Sequence, residues 1–284
     1  MIVPNGAVEP AAVADHYDEL DAFYRELWGD HVHHGLWRTG RESAAVAVVQ
    51  LVDLVAERLA LRAGQRVVDI GAGYGAPARH LAARYGARVT ALTLSPAQFA
   101  YARGHAAAPG GPRYALGDWL ANCLPGESFD AALAIESTEH MADKPGALRE
   151  ARRVLRPGGR LVVCAWIARA GAARWEVRHL LEPICREGRL AGMGTEADYR
   201  ALFDGAGLEL AGVEDLTPQV KGTWPRCARA LAARLARDAR YRRFVASAAS
   251  RNSVFTLTLL RIWAAYETGA MRYLLFSARR PASA

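Results

Sequence analysis

The stretch RVVDIGAGYGA, residues 66–76, decides the architecture. Val67, Val68 and Ile70 make a short apolar run, and glycines follow at 71, 73 and 75. Such a run reads as a buried strand entering a tight turn, with a helix opening at Ala76. Glycine tolerates the backbone such a turn requires, and the turn plus the helix N-terminus present N–H groups to a ligand. The spacing satisfies G-x-G-x-x-A at Gly71, Gly73 and Ala76. A dinucleotide fold would place an acid on the ribose roughly 20 residues on. That position falls near Thr93, and TALTLSPAQ, residues 90–98, has no carboxylate. A ligand with a zwitterionic amino-acid tail fits better. Asp69 can accept from an ammonium while the loop N–H groups meet a carboxylate.

Downstream, ARVTALTLS reads as a second strand, and Ser95-Pro96 opens a helix as cap and first helical residue. PRYALGD is a third strand, SFDAALAIES a fourth, KPGALREARRVL a helix stopped by RPGG, and GRLVVCAWIA a fifth strand. This alternation predicts a parallel sheet with helices on both faces. Beyond Trp166 the pattern predicts helices at 169–190, Thr195–Leu202 and over much of 222–268. A sixth strand is expected at Leu208–Leu216 and a last one from Met271. Upstream, Val13, Tyr17, Leu20, Tyr24 and Leu27 give residues 10–28 helical spacing. A glycine-rich break follows, then a helix from Glu42 to Leu61.

The 284 residues suit one large domain with insertions. No apolar stretch is long enough to span a membrane, and MIVPNGAVEP carries no secretory signal, so a cytoplasmic protein is expected. The four cysteines are scattered without metal-ligand spacing. The net charge is +7, and only Lys144 and Lys221 are lysines among 36 basic residues. The arginines are spread out and read as a solvated, mildly basic surface rather than a nucleic-acid face.

In order and spacing, the glycine motif, the GD of residues 117–118, FDAALAIESTEHM and REARRVLRPGGRLVV resemble the class I S-adenosylmethionine-dependent methyltransferases over roughly residues 15–167. The resemblance implies a Rossmann-like seven-stranded, mostly parallel sheet of order 3-2-1-4-5-7-6 with its last strand antiparallel. It implies S-adenosylmethionine as cofactor, with Asp69, Gly71 and Gly73 at the amino-acid tail, Asp118 on the adenine amino group and Trp119 on its ring. The segment Thr93, Leu94, Ser95 and Gln98 resembles cyclopropane fatty acid synthase-like enzymes, which makes Gln98 the ribose candidate; an exposed helix glutamine is the alternative. Glu136 is expected on the cofactor side.

Glu136, Glu139 and His140 fall at the C-terminal end of a central strand, where ligand crevices open. ESTEHMADK, residues 136–144, resembles the E-S-G-E-H-M-x-D-K of gamma-tocopherol methyltransferases, with Thr138 in place of glycine. Plant benzylisoquinoline N-methyltransferases have a similar stretch whose Glu-His pair serves catalysis, which implies Glu139 and His140 as a base pair. A histidine of neutral-range pKa can take the proton that a phenol or ammonium must lose. No N/D-P-P-Y tetrad and no Pro-Cys nucleophile occurs, which argues against a nucleic-acid substrate.

The tocopherol methyltransferase resemblance extends to HYDELDAFYRELWGDHVHHGLW, residues 16–37. His31, His33 and His34 invite a metal reading, but no carboxylate or cysteine completes a set, and no metal is expected. The segment reads instead as a lid, with Tyr17, His34 and Trp37 over the ligand, where aromatic rings would attract a sulfonium. The expected organisation is N-terminal helices and lid over 1–62, a cofactor core over 63–167, a helical substrate cap over 168–206 and 218–269, and remaining core strands over 207–217 and 270–284. Trp175, Trp224, Trp263 and Tyr266 are cap aromatics, and Arg226, Arg229, Arg237 and Arg240 share one helix face. That face reads as solvated surface, or as a diphosphate clamp.

The expected reaction is methyl transfer to a lipophilic, aromatic or prenylated small molecule of specialised metabolism, at O, N or C. Two rivals stand beside it: C-methylation of a prenyl chain or diphosphate, and a non-catalytic cofactor-binding protein. The expected partner is the small-molecule acceptor, without nucleic acid or membrane insertion; a homo-oligomer is compatible with the sequence.

Overall fold

β1 (Arg66–Ile70) occupies the middle of the sheet because Val67, Val68 and Ile70 leave neither face fit for water. On one side it pairs in parallel with β2 (Arg88–Thr93), and β2 with β3 (Arg113–Leu116). On the other, β4 (Phe129–Ile135) and β5 (Leu155–Ala168) continue in parallel. β7 (Met271–Arg279) then runs antiparallel between β5 and β6 (Glu209–Asp215). The order is 3-2-1-4-5-7-6, the Rossmann-like sheet expected. This computed structural model describes residues 1–4, 8–105, 110–246 and 255–282, without the side chains of residues 255 and 256.

Alternation along the strands divides the core in two. Val67, Val89, Leu133, Val162 and Leu275 face one layer, closed by α3 (Ala44–Leu59), α4 (Ala76–Tyr85) and the cap helices. Val68, Ile70, Ala132, Val163 and Phe276 face the other, closed by α6 (Lys144–Val154) and α9 (Glu196–Gly205). α3 shows why such helices form: Ala47, Leu51, Val52, Val55 and Leu59 repeat on one buried face, and Ser43 caps its first turn from Val46 N–H. On the opposite layer Phe276 lies between Tyr199, stacked at 5.0 Å, and Phe203 at 5.6 Å. α5 (Pro96–Gly104) is capped by Ser95, as the Ser-Pro pair predicts.

The segments expected as a cap contain α7 (Arg174–Glu176), a wide turn at Val177–Leu181, α8 (Glu182–Glu187), α10 (Thr217–Val220), α11 (Thr223–Arg237), α12 (Ala239–Ala246) and α13 (Phe255–Glu267), whereas α9, also within the expected range, packs with α6 on the opposite face of the sheet. Two expectations need correction. Residues 10–28 form two helices, α1 (Pro10–Glu19) and α2 (Asp21–Leu27). Leu20 leaves helical geometry (φ −92°, ψ 1°) and buries its side chain beside Tyr24 and Tyr74. RPGG does more than stop α6: it lies within β5, where pairing with β4 shifts register between Phe129 and Ala131.

Candidate active site

The loops after β1, β2, β3 and β4 converge where parallel strands open a crevice. Gly71 (φ +76°) leaves no room for a side chain, because a Cβ would run into that of Ser137. The Ser137 hydroxyl in turn donates to the Ile70 carbonyl at 2.6 Å and fixes the β4 loop against the β1 turn. Gly73 (φ +54°) faces open space, with only Gln98 Nε2 near the place a Cβ would take, at 3.9 Å. Gln98 is buried (4 % exposed), and its Oε1 accepts from the Thr93 hydroxyl at 2.7 Å. Asp118 caps the short turn Trp119–Ala121 from Leu120 N–H (2.9 Å), and Trp119 Nε1 donates to the Ala147 carbonyl (3.0 Å). Gly71, Gly73, Gln98, Asp118 and Trp119 all line one cleft of about 910 Å³. Behind it Asp69 is buried, and its Oδ2 has no hydrogen-bond partner among the described residues. Burial pushes its carboxyl up to about 7.

A second chamber of about 640 Å³ lies between the N-terminal segment and the cap. Tyr24, Trp28, Trp166, Trp224, Ile184 and Leu190 give it an aromatic and apolar wall. The two chambers share Tyr17, Val32, Glu136 and His140.

His140 sits in a single turn after β4. Its Nδ1 lies 2.9 Å from the Arg189 carbonyl, which can only accept, so Nδ1 carries the proton and Nε2 a lone pair. Tyr17 on α1 donates its phenol to that Nε2 at 3.0 Å. Burial holds the imidazole down at about 4, and burial raises the Tyr17 phenol far above its ordinary value. Both are neutral at pH 7, and the Tyr17 oxygen, having donated its proton to His140, keeps a lone pair for a further donor.

Glu136 takes a left-handed backbone (φ +54°) immediately after β4. Its Oε1 accepts from His34 N–H and the Tyr273 hydroxyl, each at 2.8 Å. Its Oε2 accepts from His34 Nδ1 at 3.0 Å and Trp166 Nε1 at 2.8 Å. Burial alone would raise its pKa; the hydrogen bonds it accepts from the His34 ring and amide pull it the other way, below the usual carboxylate range. Glu139 turns elsewhere. Its Oε1 accepts from Trp166 N–H at 2.6 Å and its Oε2 from the Thr138 hydroxyl at 3.2 Å. Burial pushes this carboxyl up and the neighbouring Lys144 ammonium down.

A family described as a methyltransferase domain matches residues 68–163. The 27-O-demethylrifamycin SV methyltransferase of Amycolatopsis mediterranei (strain S699) is 31% identical over 280 residues, 96% of this chain and 98% of that one. The chain belongs to the S-adenosylmethionine-dependent methyltransferases. The chloroplastic tocopherol O-methyltransferase of Arabidopsis thaliana is 29% identical over 238 residues, 75% of this chain and 67% of that one. Among solved structures, the [4+2]-cyclase SpnF superposes with a TM-score of 0.80 at 29% identity, covering 99% of each chain. A backbone this similar thus serves a protein described as a cyclase, so the reaction must be argued from the side chains at the shared wall.

The methyltransferase uses S-adenosylmethionine, and the 910 Å³ cleft suits it. Asp69, expected at the amino-acid tail, lines neither chamber, although one of its oxygens has no partner among the described residues; the open face of Gly73 admits a carboxylate near backbone N–H groups.

Three expected placements need correction. Trp37 lines neither chamber: its indole N–H donates to Thr223 Oγ1 at 3.0 Å, and the Arg226 guanidinium covers its ring at 3.8 Å. His34 lines the second chamber, but Glu136, Trp224 (2.7 Å) and Tyr266 (2.9 Å) occupy its ring nitrogens. Glu139 is not paired with His140; the Arg189 carbonyl and Tyr17 orient that ring. His31 and His33 bond each other at 3.1 Å, and no group of three possible metal ligands gathers among the described residues.

Several partners escaped the sequence reading. Trp166, Tyr273 and the Arg189 carbonyl come from β5, β7 and a cap loop. Of the cap aromatics, Trp224 lines the second chamber and Tyr266 reaches His34, whereas Trp175 and Trp263 are exposed.

Proposed function

We propose that the methyltransferase methylates a hydroxyl oxygen of a lipophilic, ring-bearing small molecule of specialised metabolism, with His140 as the final proton acceptor. The observation that carries this reading is the Tyr17–His140 hydrogen bond on the wall common to both chambers. S-adenosylmethionine, when bound, supplies an electrophilic methyl group on a sulfonium. The chain's own residues supply alignment, dryness and a proton path. A hydroxyl entering from the aromatic chamber meets the Tyr17 oxygen. As its oxygen takes the methyl group, its proton passes to Tyr17 while the Tyr17 proton passes to His140 Nε2. The Arg189 carbonyl keeps that nitrogen's lone pair facing Tyr17.

An aromatic wall of Tyr24, Trp28, Trp166 and Trp224 favours a flat apolar body. The two relatives named above are described as acting on oxygen or on a demethylated natural product. A prenyl diphosphate finds less support. Among the described residues neither chamber is lined by Lys or Arg. Arg226 stacks on Trp37, and Arg240 pairs with Asp238 and Glu26, outside both chambers.

The test combines calorimetry with a labelled-cofactor screen of hydroxylated lipophilic acceptors. His140→Ala should keep its S-adenosylmethionine affinity and lose about 10²–10⁴ in turnover. Tyr17→Phe should keep the ring and lose a large part of the same factor. Undiminished turnover in either variant would remove that residue from the proton path.

A further inference from the structure

Of the four side chains on the shared wall, Val32 is apolar, Tyr17 is a neutral phenol and His140 a neutral imidazole. Glu136 is the remaining one, and its four donors replace the water it has lost. None of the four is a Lys or Arg. The nearest candidate cation, His34, is neutral by its geometry. Trp224 Nε1 can only donate, so His34 Nε2 must accept, and the single ring proton sits on Nδ1 facing Glu136. The carboxylate is therefore fully hydrogen-bonded yet has no opposing charge, an arrangement that is costly until a cation arrives.

A methyl group passing from one chamber to the other would cross at this wall, which would place the positive sulfur of a bound donor beside it. We propose that Glu136 is the counter-anion for that charge, before and after transfer. The inference rests on the methyl-transfer reading above. In the step, an acceptor lone pair forms the O–CH₃ bond, and the S–CH₃ bonding pair stays on sulfur. The hydroxyl proton ends, through Tyr17, on His140 Nε2. The sulfonium becomes a neutral thioether as the imidazole becomes an imidazolium. The positive charge moves across the wall without leaving the neighbourhood of Glu136, whose own hydrogen bonds need not rearrange. The same anion lets the cofactor cleft distinguish a charged donor from its neutral product.

Isothermal titration of the full chain with S-adenosylmethionine, sinefungin and S-adenosylhomocysteine tests this without turnover. Sinefungin carries an ammonium where the donor carries its methyl sulfonium. In the wild type both cationic ligands should bind about tenfold or more tighter than the neutral product. Glu136→Gln should bring that ratio toward one, while Glu136→Asp, which keeps the charge, should restore much of it. Trp166→Phe removes one donor but no charge and should leave the ratio in place. A structural lesion would weaken all three ligands together and leave the ratio untouched. A wild type that binds the neutral product as tightly as the cationic ligands overturns the proposal, even if Glu136→Gln fails to fold. An unchanged ratio in Glu136→Gln overturns it equally. Loss of the His140 assignment would show in turnover alone, so the two ideas fail separately.

Discussion

His140 is a stronger proton trap in sequence than in its pocket. An ordinary histidine titrates near 6.5, and burial holds this one at about 4. The acidic limb of kcat/KM is therefore expected well below pH 6; a limb between 6.5 and 7 would assign it to another group. The linkage has a definite sign. Between about 4 and 6.5 the unfolded chain binds the His140 proton and the folded chain does not, so its contribution to stability is lost as pH falls through that window. Glu136, held below its ordinary value by the donors around it, contributes above its unfolded value and loses that contribution as pH falls through its lowered folded value. Asp69 acts oppositely: raised to about 7, it costs stability as pH rises from its unfolded value toward 7. Both Glu136 and His140 were legible in ESTEHM, because the end of a central strand is a defined place. What spacing could not carry was direction across distance. Tyr17 reaches His140 from 123 residues away, and Glu139 turns to the Trp166 backbone N–H, 27 residues on.

At the scale of elements, the β1–α4 turn was the most legible part, since its glycines are demanded by local sterics. Gly71→Ala must both hold a left-handed backbone and displace Ser137, so it should abolish measurable cofactor binding by calorimetry while Gly64→Ala, facing open space, should not. α1 is held to α5 through Asp18, which accepts from the Ser95 hydroxyl and from Ala97 N–H at 3.2 Å. Asp18→Asn should loosen α1, and with it Tyr17. Expected is a roughly tenfold fall in turnover with a smaller change in stability, on the order of 1 kcal/mol, for loss of one charge-assisted contact. The cap helices could be foreseen as helices, but not by which face they meet the chamber. Trp224 and Trp263 are both helical tryptophans, and only tertiary packing makes one a wall and the other an exposed ring.

Across the whole molecule, the alternation of strands and helices made the sheet order readable, because parallel pairs need crossovers that bury both faces. Its stability lies in two apolar layers more than in surface charge. Phe276→Ala, opening a hole between Tyr199 and Phe203, should cost about 3–5 kcal/mol in chemical denaturation. Raising salt from 0.1 to 0.5 M should change stability little, since pairs such as Arg200–Glu196 and Arg279–Glu209 are solvent-screened. No helix among the described residues is long and apolar enough to cross a membrane. The knot around His34 has a consequence in time. Its hydrogen-bond partners come from positions 136, 224 and 266, and the Tyr273 ring packs against it at 4.7 Å. A ribosome makes His34 long before it makes Tyr266 and Tyr273, so these contacts cannot form until those later residues exist. An early-made part of the candidate site is thus among the last to be completed.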